Sequence, residues 1–175
     1  MPAEQGLATD HALAALSAGG DTSAFTELVR RHERRVRSFL ARLSKGRHAD
    51  DLAQDTFLQA WRMAPSFRGQ GSYEGWLLRI AWRTFLSDLR ANRQVEDDRH
   101  HVAQPVAPSD GVKLDIDRAL ASLGPTERAA ALLCYAQGCS HSEAADILEL
   151  PLGTLKSTVA RARARLAASL EGYEP

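Results

Sequence analysis

The run Ser140-His141-Ser142-Glu143-Ala144-Ala145-Asp146-Ile147-Leu148-Glu149-Leu150-Pro151-Leu152-Gly153-Thr154-Leu155-Lys156-Ser157-Thr158-Val159-Ala160-Arg161-Ala162-Arg163-Ala164-Arg165-Leu166 decides how this chain is read. Its first four residues have the Ser-x-x-Glu form of a capping box, in which the two side chains satisfy backbone N–H groups at a helix start. A short helix over Ala144 to Leu148 follows, then a turn over Glu149 to Gly153. A longer helix begins at Thr154 and runs to about Glu171. Together these make a helix-turn-helix. Projected at about 100° per residue, Leu155, Val159, Ala162, Leu166 and Leu170 share one stripe, which should face a core. Ser157, Ala160, Arg161 and Ala164 fall opposite, with Lys156 and Arg165 on the flanks. Between Thr154 and Leu166 there are four basic residues and no acid. Small outward residues let a helix sit deep in a major groove while flanking cations meet phosphates. A merely solvated basic face would carry the same charges, but the capped short helix in front favours duplex DNA.

Working back from this motif, Leu114 to Leu123 and Pro125 to Gln137 read as helices, with Pro125 suited to a first turn. From Arg93 to Val112 the periodicity fails. That stretch holds Pro105, Pro108, Gly111 and the acids Glu96, Asp97 and Asp98. It reads as a flexible linker reaching about 60 Å when extended. His100-His101 reads as solvated loop.

The N-terminal half is helical as well. Asp10 to Ala18 is a short helix ending at Gly19-Gly20. Asp21 caps a long one, in which Phe25, Leu28, Val29, His32, Val36, Phe39, Leu40 and Leu43 recur at three- and four-residue spacing. Its other face carries Arg30, Arg31, Arg34, Arg35 and Arg37. A third helix, Ala49 to Met63, opens with Asp50, Asp51 and Asp55 near its positive end. A loop over Pro65 to Ser72 leads into a fourth, Tyr73 to Asn92. There Leu77, Leu78, Ala81, Trp82, Phe85 and Leu89 make a buried face, while Arg79, Arg83 and Arg90 line up opposite beside Trp76 and Ile80. An arginine stripe edged by an aromatic suits single-stranded or opening DNA. The loop Phe67-Arg68-Gly69-Gln70-Gly71-Ser72-Tyr73 supplies the flexibility and aromatics to hold a flipped base.

Composition bounds the alternatives. The 175 residues suffice for one domain or two small ones. Ala, Leu, Arg and Glu dominate, and all are helix formers. The net charge is zero, from 22 basic and 22 acidic residues, whereas a free-standing DNA binder is usually basic. Cys134 and Cys139 are too few for a disulfide scaffold. With His141 they lack a four-ligand metal spacing, and Cys134 reads as a buried small hydrophobe. No apolar run approaches the roughly 18 residues of a membrane span. Met1-Pro2-Ala3-Glu4-Gln5 lacks the features of a secretory signal, so a cytoplasmic location and no membrane insertion are expected.

In this order and spacing the segments resemble the extracytoplasmic-function (group 4) branch of the sigma-70 family, from about Ala24 to Leu170. Residues 1–92 resemble region 2, through Asp50-Asp51-Leu52-Ala53-Gln54-Asp55-Thr56-Phe57, Phe67-Arg68-Gly69 and Trp76-Leu77-Leu78-Arg79-Ile80-Ala81. Residues 113–175 resemble region 4, through Ala119-Leu120-Ala121-Ser122-Leu123, Glu143-Ala144-Ala145-Asp146-Ile147-Leu148 and Pro151-Leu152-Gly153-Thr154-Leu155-Lys156-Ser157. The resemblance implies an all-α fold of two small helical domains joined by a flexible linker over 93–112. It implies an alternative sigma factor, not an enzyme, with no cofactor and no metal. Its partners would be core RNA polymerase (the β′ coiled coil and the β flap), promoter DNA and an anti-sigma factor. Asp51, Leu52, Gln54, Asp55, Phe57 and Leu58 would dock on polymerase. Phe67, Arg68, Ser72, Tyr73, Trp76, Arg79 and Arg83 would open and read the −10 element. Thr154, Lys156, Ser157, Arg161 and Arg165 would read the −35 element, while the acidic linker would thread polymerase channels.

Two positions depart from the family pattern. Arg83 stands where Asn is frequent. Glu149 stands where Gly is common, and a left-handed residue there would cost a non-glycine on the order of 1 kcal/mol, so a differently built turn is expected. Two rivals are weaker. A stand-alone helix-turn-helix regulator leaves the N-terminal half without work. A metal-dependent hydrolase using His48, Asp50, Asp51 and Asp55 has no second ligand cluster or nucleophile motif.

Overall fold

The structure, a computed structural model, describes residues 9–98 and 111–170. It is all α-helical there, with no strand among the described residues. A first unit comprises α1 (Asp10–Ala18), α2 (Thr22–Leu43), α3 (Ala49–Met63), a 3-10 turn at Ala64–Ser66, and α4 (Tyr73–Asp98). A second comprises α5 (Gly111–Ser122), α6 (Pro125–Ala131), a π-helical turn at Leu132–Ala136, α7 (His141–Leu148) and α8 (Leu152–Leu170). His100-His101 and the rest of 99–110 lie outside the described residues.

α2 begins where Asp21 Oδ1 accepts from the Ser23 and Ala24 N–H groups at 2.8 and 3.0 Å. The stripe read from its periodicity faces inward: Leu28, His32, Val36, Phe39, Leu40 and Leu43 are buried. α3 packs on α2, and α4 packs on both. Each fully buried Leu or Phe in this seam contributes roughly 1.5–3 kcal/mol of transfer free energy. α4 continues six residues beyond the expected Asn92. Arg93, Gln94 and Glu96 are good helix formers and no proline intervenes before Pro105, so loss of amphipathic period does not stop the helix. Part of the expected linker is therefore helix at each end.

In the second unit, the capping box forms. Ser140 Oγ accepts from the Glu143 N–H at 3.2 Å, and the Glu143 carboxylate accepts from the Ser140 N–H at 2.8 Å. The turn after α7 corrects one expectation. Glu149 itself takes the left-handed conformation, at φ 57° and ψ 41°, so the turn is built in the glycine-like way with a glutamate in it. α6 is shorter than the expected Pro125–Gln137, because its last turn widens to π geometry. Cys134 is half-buried rather than fully enclosed.

The two units are docked. α7 packs on α4, α6 and the π turn pack on α2, and one hydrophobic cluster runs through both. Arg128 of α6, only 4 % exposed, sits at this junction. Its guanidinium donates to the carbonyls of Leu43, Leu120 and Leu123 at 2.7, 2.8 and 2.7 Å, and to Ala121 at 3.2 Å. Those carbonyls lie at the ends of α2 and α5, where backbone acceptors lack intrahelical partners and the dipole favours a cation.

Candidate nucleic-acid interface

α8 presents its two faces as the projection requires. Leu155, Val159 and Ala162 are buried, and Leu166 packs against the same core. Thr154, Lys156, Ser157, Ala160, Arg161, Ala164 and Arg165 are exposed. The first turn is tightened by Ser157 Oγ and Thr158 Oγ1, both donating to the Thr154 carbonyl, at 2.9 and 2.8 Å. Arg161 and Arg165 lean toward Glu127 of α6, at 3.7 and 3.0 Å. Both arginine side chains stay about 60 % exposed, 59 and 60 %. Such pairs are worth no more than about 1 kcal/mol, so they orient the guanidinium groups without sequestering them.

The loop before α4 is ordered by aromatic contact. Phe67 lies edge-on to Tyr73, with centroids 5.3 Å apart, and 5.4 Å from Trp76; Tyr73 and Trp76 are 5.3 Å apart. Arg68, Gln70 and Ser72 are exposed, while Gly69 and Gly71 bend the backbone at φ 71° and 76°. Tyr73 is buried at 4 % exposure and begins the helix, so its ring supports the loop instead of standing free in it. Trp82 is core and stacks on Phe85, whereas Trp76 is half-buried. Ile80 is buried too. Arg79 is half-buried and its Nε has no acceptor among the described residues. Arg83 is about half exposed and forms an ion pair with Glu149 of the second unit.

The sequence gives a match to the sigma-70 region 2 family model over residues 28–95 and to the sigma-70 region 4 family model over 113–166. The chain is 37 % identical to the ECF RNA polymerase sigma factor SigM of Mycobacterium tuberculosis, over 94 % of this chain and 86 % of that protein. The chain belongs to the extracytoplasmic-function branch of the sigma-70 family. It is an alternative sigma factor. It is also 36 % identical to the ECF RNA polymerase sigma factor SigE of Mycolicibacterium smegmatis, covering 87 % of this chain but 65 % of that longer relative. A solved structure of the sigma factor RpoE in complex with the anti-sigma factor NepR, from Bartonella quintana, superposes with a TM-score of 0.76. Identity there is 33 %, covering 84 % of this chain and 96 % of that one.

In this sigma factor α3 exposes Asp51, Gln54, Asp55 and Leu58 on one side. Leu58 is 46 % exposed, high for a leucine with a core beside it. Leu52 is buried and Phe57 half-buried against the core, so these two anchor the helix beneath that surface. Asp50 pairs with Arg37 at 2.7 Å, and Asp51 lies 3.7 Å from His48.

Sequence reasoning missed the contacts between the units. Arg35 is the clearest case: its Nε donates to Gln137 Oε1 at 2.8 Å and approaches Glu74 at 2.9 Å. Its other arm reaches the Gln137 carbonyl. On the sequence Arg35 is one of five arginines on a polar face, and nothing marks it as the one that crosses. Burial against Glu143 and Glu74 pushes the Cys139 thiol up to about 11, so that side chain too reports the junction.

Proposed function

We propose that this sigma factor binds core RNA polymerase in the cytoplasm and directs it to promoters bearing −10 and −35 elements. α8 is the −35 reader. Thr154, Lys156, Ser157, Arg161 and Arg165 meet base edges and phosphates, and the small Ala160 and Ala164 permit close approach to the groove floor. The loop from Phe67 to Ser72 and the exposed edge of α4 handle the opened −10 strand. Phe67 and Trp76 supply flat surfaces, while Arg68, Arg79 and Arg83 supply charge. Asp51, Gln54, Asp55 and Leu58 dock on the β′ coiled coil, and the second unit meets the β flap. An anti-sigma factor holds the protein inactive until needed, a reading supported by the relative solved with one.

The observation that carries this reading is the exposed face of α8, cationic and built of small residues, on a chain of zero net charge. Such a chain gains little from bulk attraction to DNA and relies on a larger machine to present its helix. A gel-shift with a randomised duplex pool tests this. The purified factor alone is expected to leave the pool unshifted, and core polymerase plus factor is expected to select a common sequence. Tight, sequence-specific binding by the factor alone would overturn the proposal in favour of a stand-alone regulator.

A further inference from the structure

α1 precedes the region 2 match, which starts at residue 28. Yet it touches the loop Phe67 to Tyr73 at three separate points. His11 Nε2 faces the carbonyl of Gly71 at 3.1 Å, in position to donate. The His11 ring lies 5.5 Å from the Phe67 ring. Its Cδ2 stands 3.5 Å from where a Cβ on Gly69 would be, so the ring lies against the backbone at the first left-handed glycine. Both glycines on which the loop bends are thus backed by one side chain. The neighbouring residue acts from beneath. Asp10 accepts from His32 Nε2 at 2.7 Å and from Arg31 at 3.0 Å, and the His32 ring lies 5.5 Å from Tyr73.

A loop with two positive-φ glycines alternating with the exposed Arg68, Gln70 and Ser72 has many conformations of similar energy. A site that must hold a base against Phe67 needs one of them populated in advance, or its affinity falls by the fraction that is competent. The geometry points to α1 as the clamp that selects this conformation, with His11 a positioning residue for reading the opened −10 strand. This rests on the assignment of that loop under the proposed function. His11 is exposed and can be replaced without opening the core.

The test uses holoenzyme reconstituted with full-length His11→Ala, His11→Gln and Phe67→Ala factors. Transcription is compared on a promoter selected by the parent factor and on the same promoter with its −10 element substituted. His11→Ala is expected to lower the ratio of the two rates about fivefold, the worth of one hydrogen bond, with core affinity unchanged. His11→Gln, which keeps a donor for the Gly71 carbonyl, is expected to recover most of the ratio. The proposal is overturned if His11→Ala keeps the parent ratio while Phe67→Ala loses it, or if any loss simply tracks core affinity. If Phe67→Ala also keeps the ratio, the assignment of the loop fails, and the role of His11 fails with it.

Discussion

Glu149 carries two consequences in one residue. Its left-handed backbone at φ 57° lets α7 end and the chain turn into α8, a conformation that strains an L-residue with a side chain. Its carboxylate meets Arg83, a cation assigned to the opened promoter strand. The pair is about half exposed at both ends, so screening leaves it worth well under about 1 kcal/mol, less than the backbone strain costs. Glu149→Gly is therefore expected to stabilise the chain by about 0.5–1 kcal/mol in urea unfolding while releasing Arg83. A loss of stability would mean that the ion pair outweighs the strain. Arg83 and Glu149 were each conspicuous in the sequence as departures from a family pattern. Their partnership was not, because residues 66 apart, one on a helix face and one in a turn, give no local signal of contact.

At the scale of elements, what could be read was what has a period or a cap. The stripe of α2, the inward and outward faces of α8 and the Ser140 capping box all depend on residues within four positions of one another, and all are present. The exposed residues of α8 were legible for the same reason: an exposed face is simply the complement of a buried stripe. The loop before α4 was harder. An aromatic beside glycines reads as open, but Tyr73 turns inward because His32, Phe67 and Trp76 surround it, and those contacts come from three different elements. The C-terminal extension of α4 was missed on other grounds. Amphipathic period reports burial, and a helix made of good formers persists without it.

For the whole molecule, the packed arrangement places α8 and the loop before α4, the two elements proposed to read the promoter, in one body, with α7 over α4 and Arg128 joining the ends of α2 and α5. Cys139 provides an optical-free readout of that packing, since its thiol is pushed up to about 11 by burial and by Glu143 and Glu74. A thiol raised in the folded state is protonated at neutral pH, and thiolate appears only as pH approaches the raised value. Against an ordinary thiol near 9, the thiolate fraction at neutral pH is lower by about a hundredfold, so iodoacetamide should label Cys139 slowly in the free protein. Labelling of the polymerase-bound factor reads whether this docking persists there: faster labelling in the complex means that the units part, and equal rates in free and bound factor mean that they stay docked. Because Leu43 and Arg128 meet across 85 residues, this docking depends on tertiary partner choice that no window of sequence reveals.

If this one chain supplies polymerase with both promoter readers, run-off transcription with core polymerase on a library randomised at both elements should depend on both. The factor is expected to select two conserved blocks, and Arg161→Ala is expected to relax the upstream one by about tenfold, the discrimination of a good side-chain-to-base contact, while leaving the downstream one intact. No promoter-dependent transcript, or an Arg161→Ala factor that relaxes only the downstream block, would contradict it.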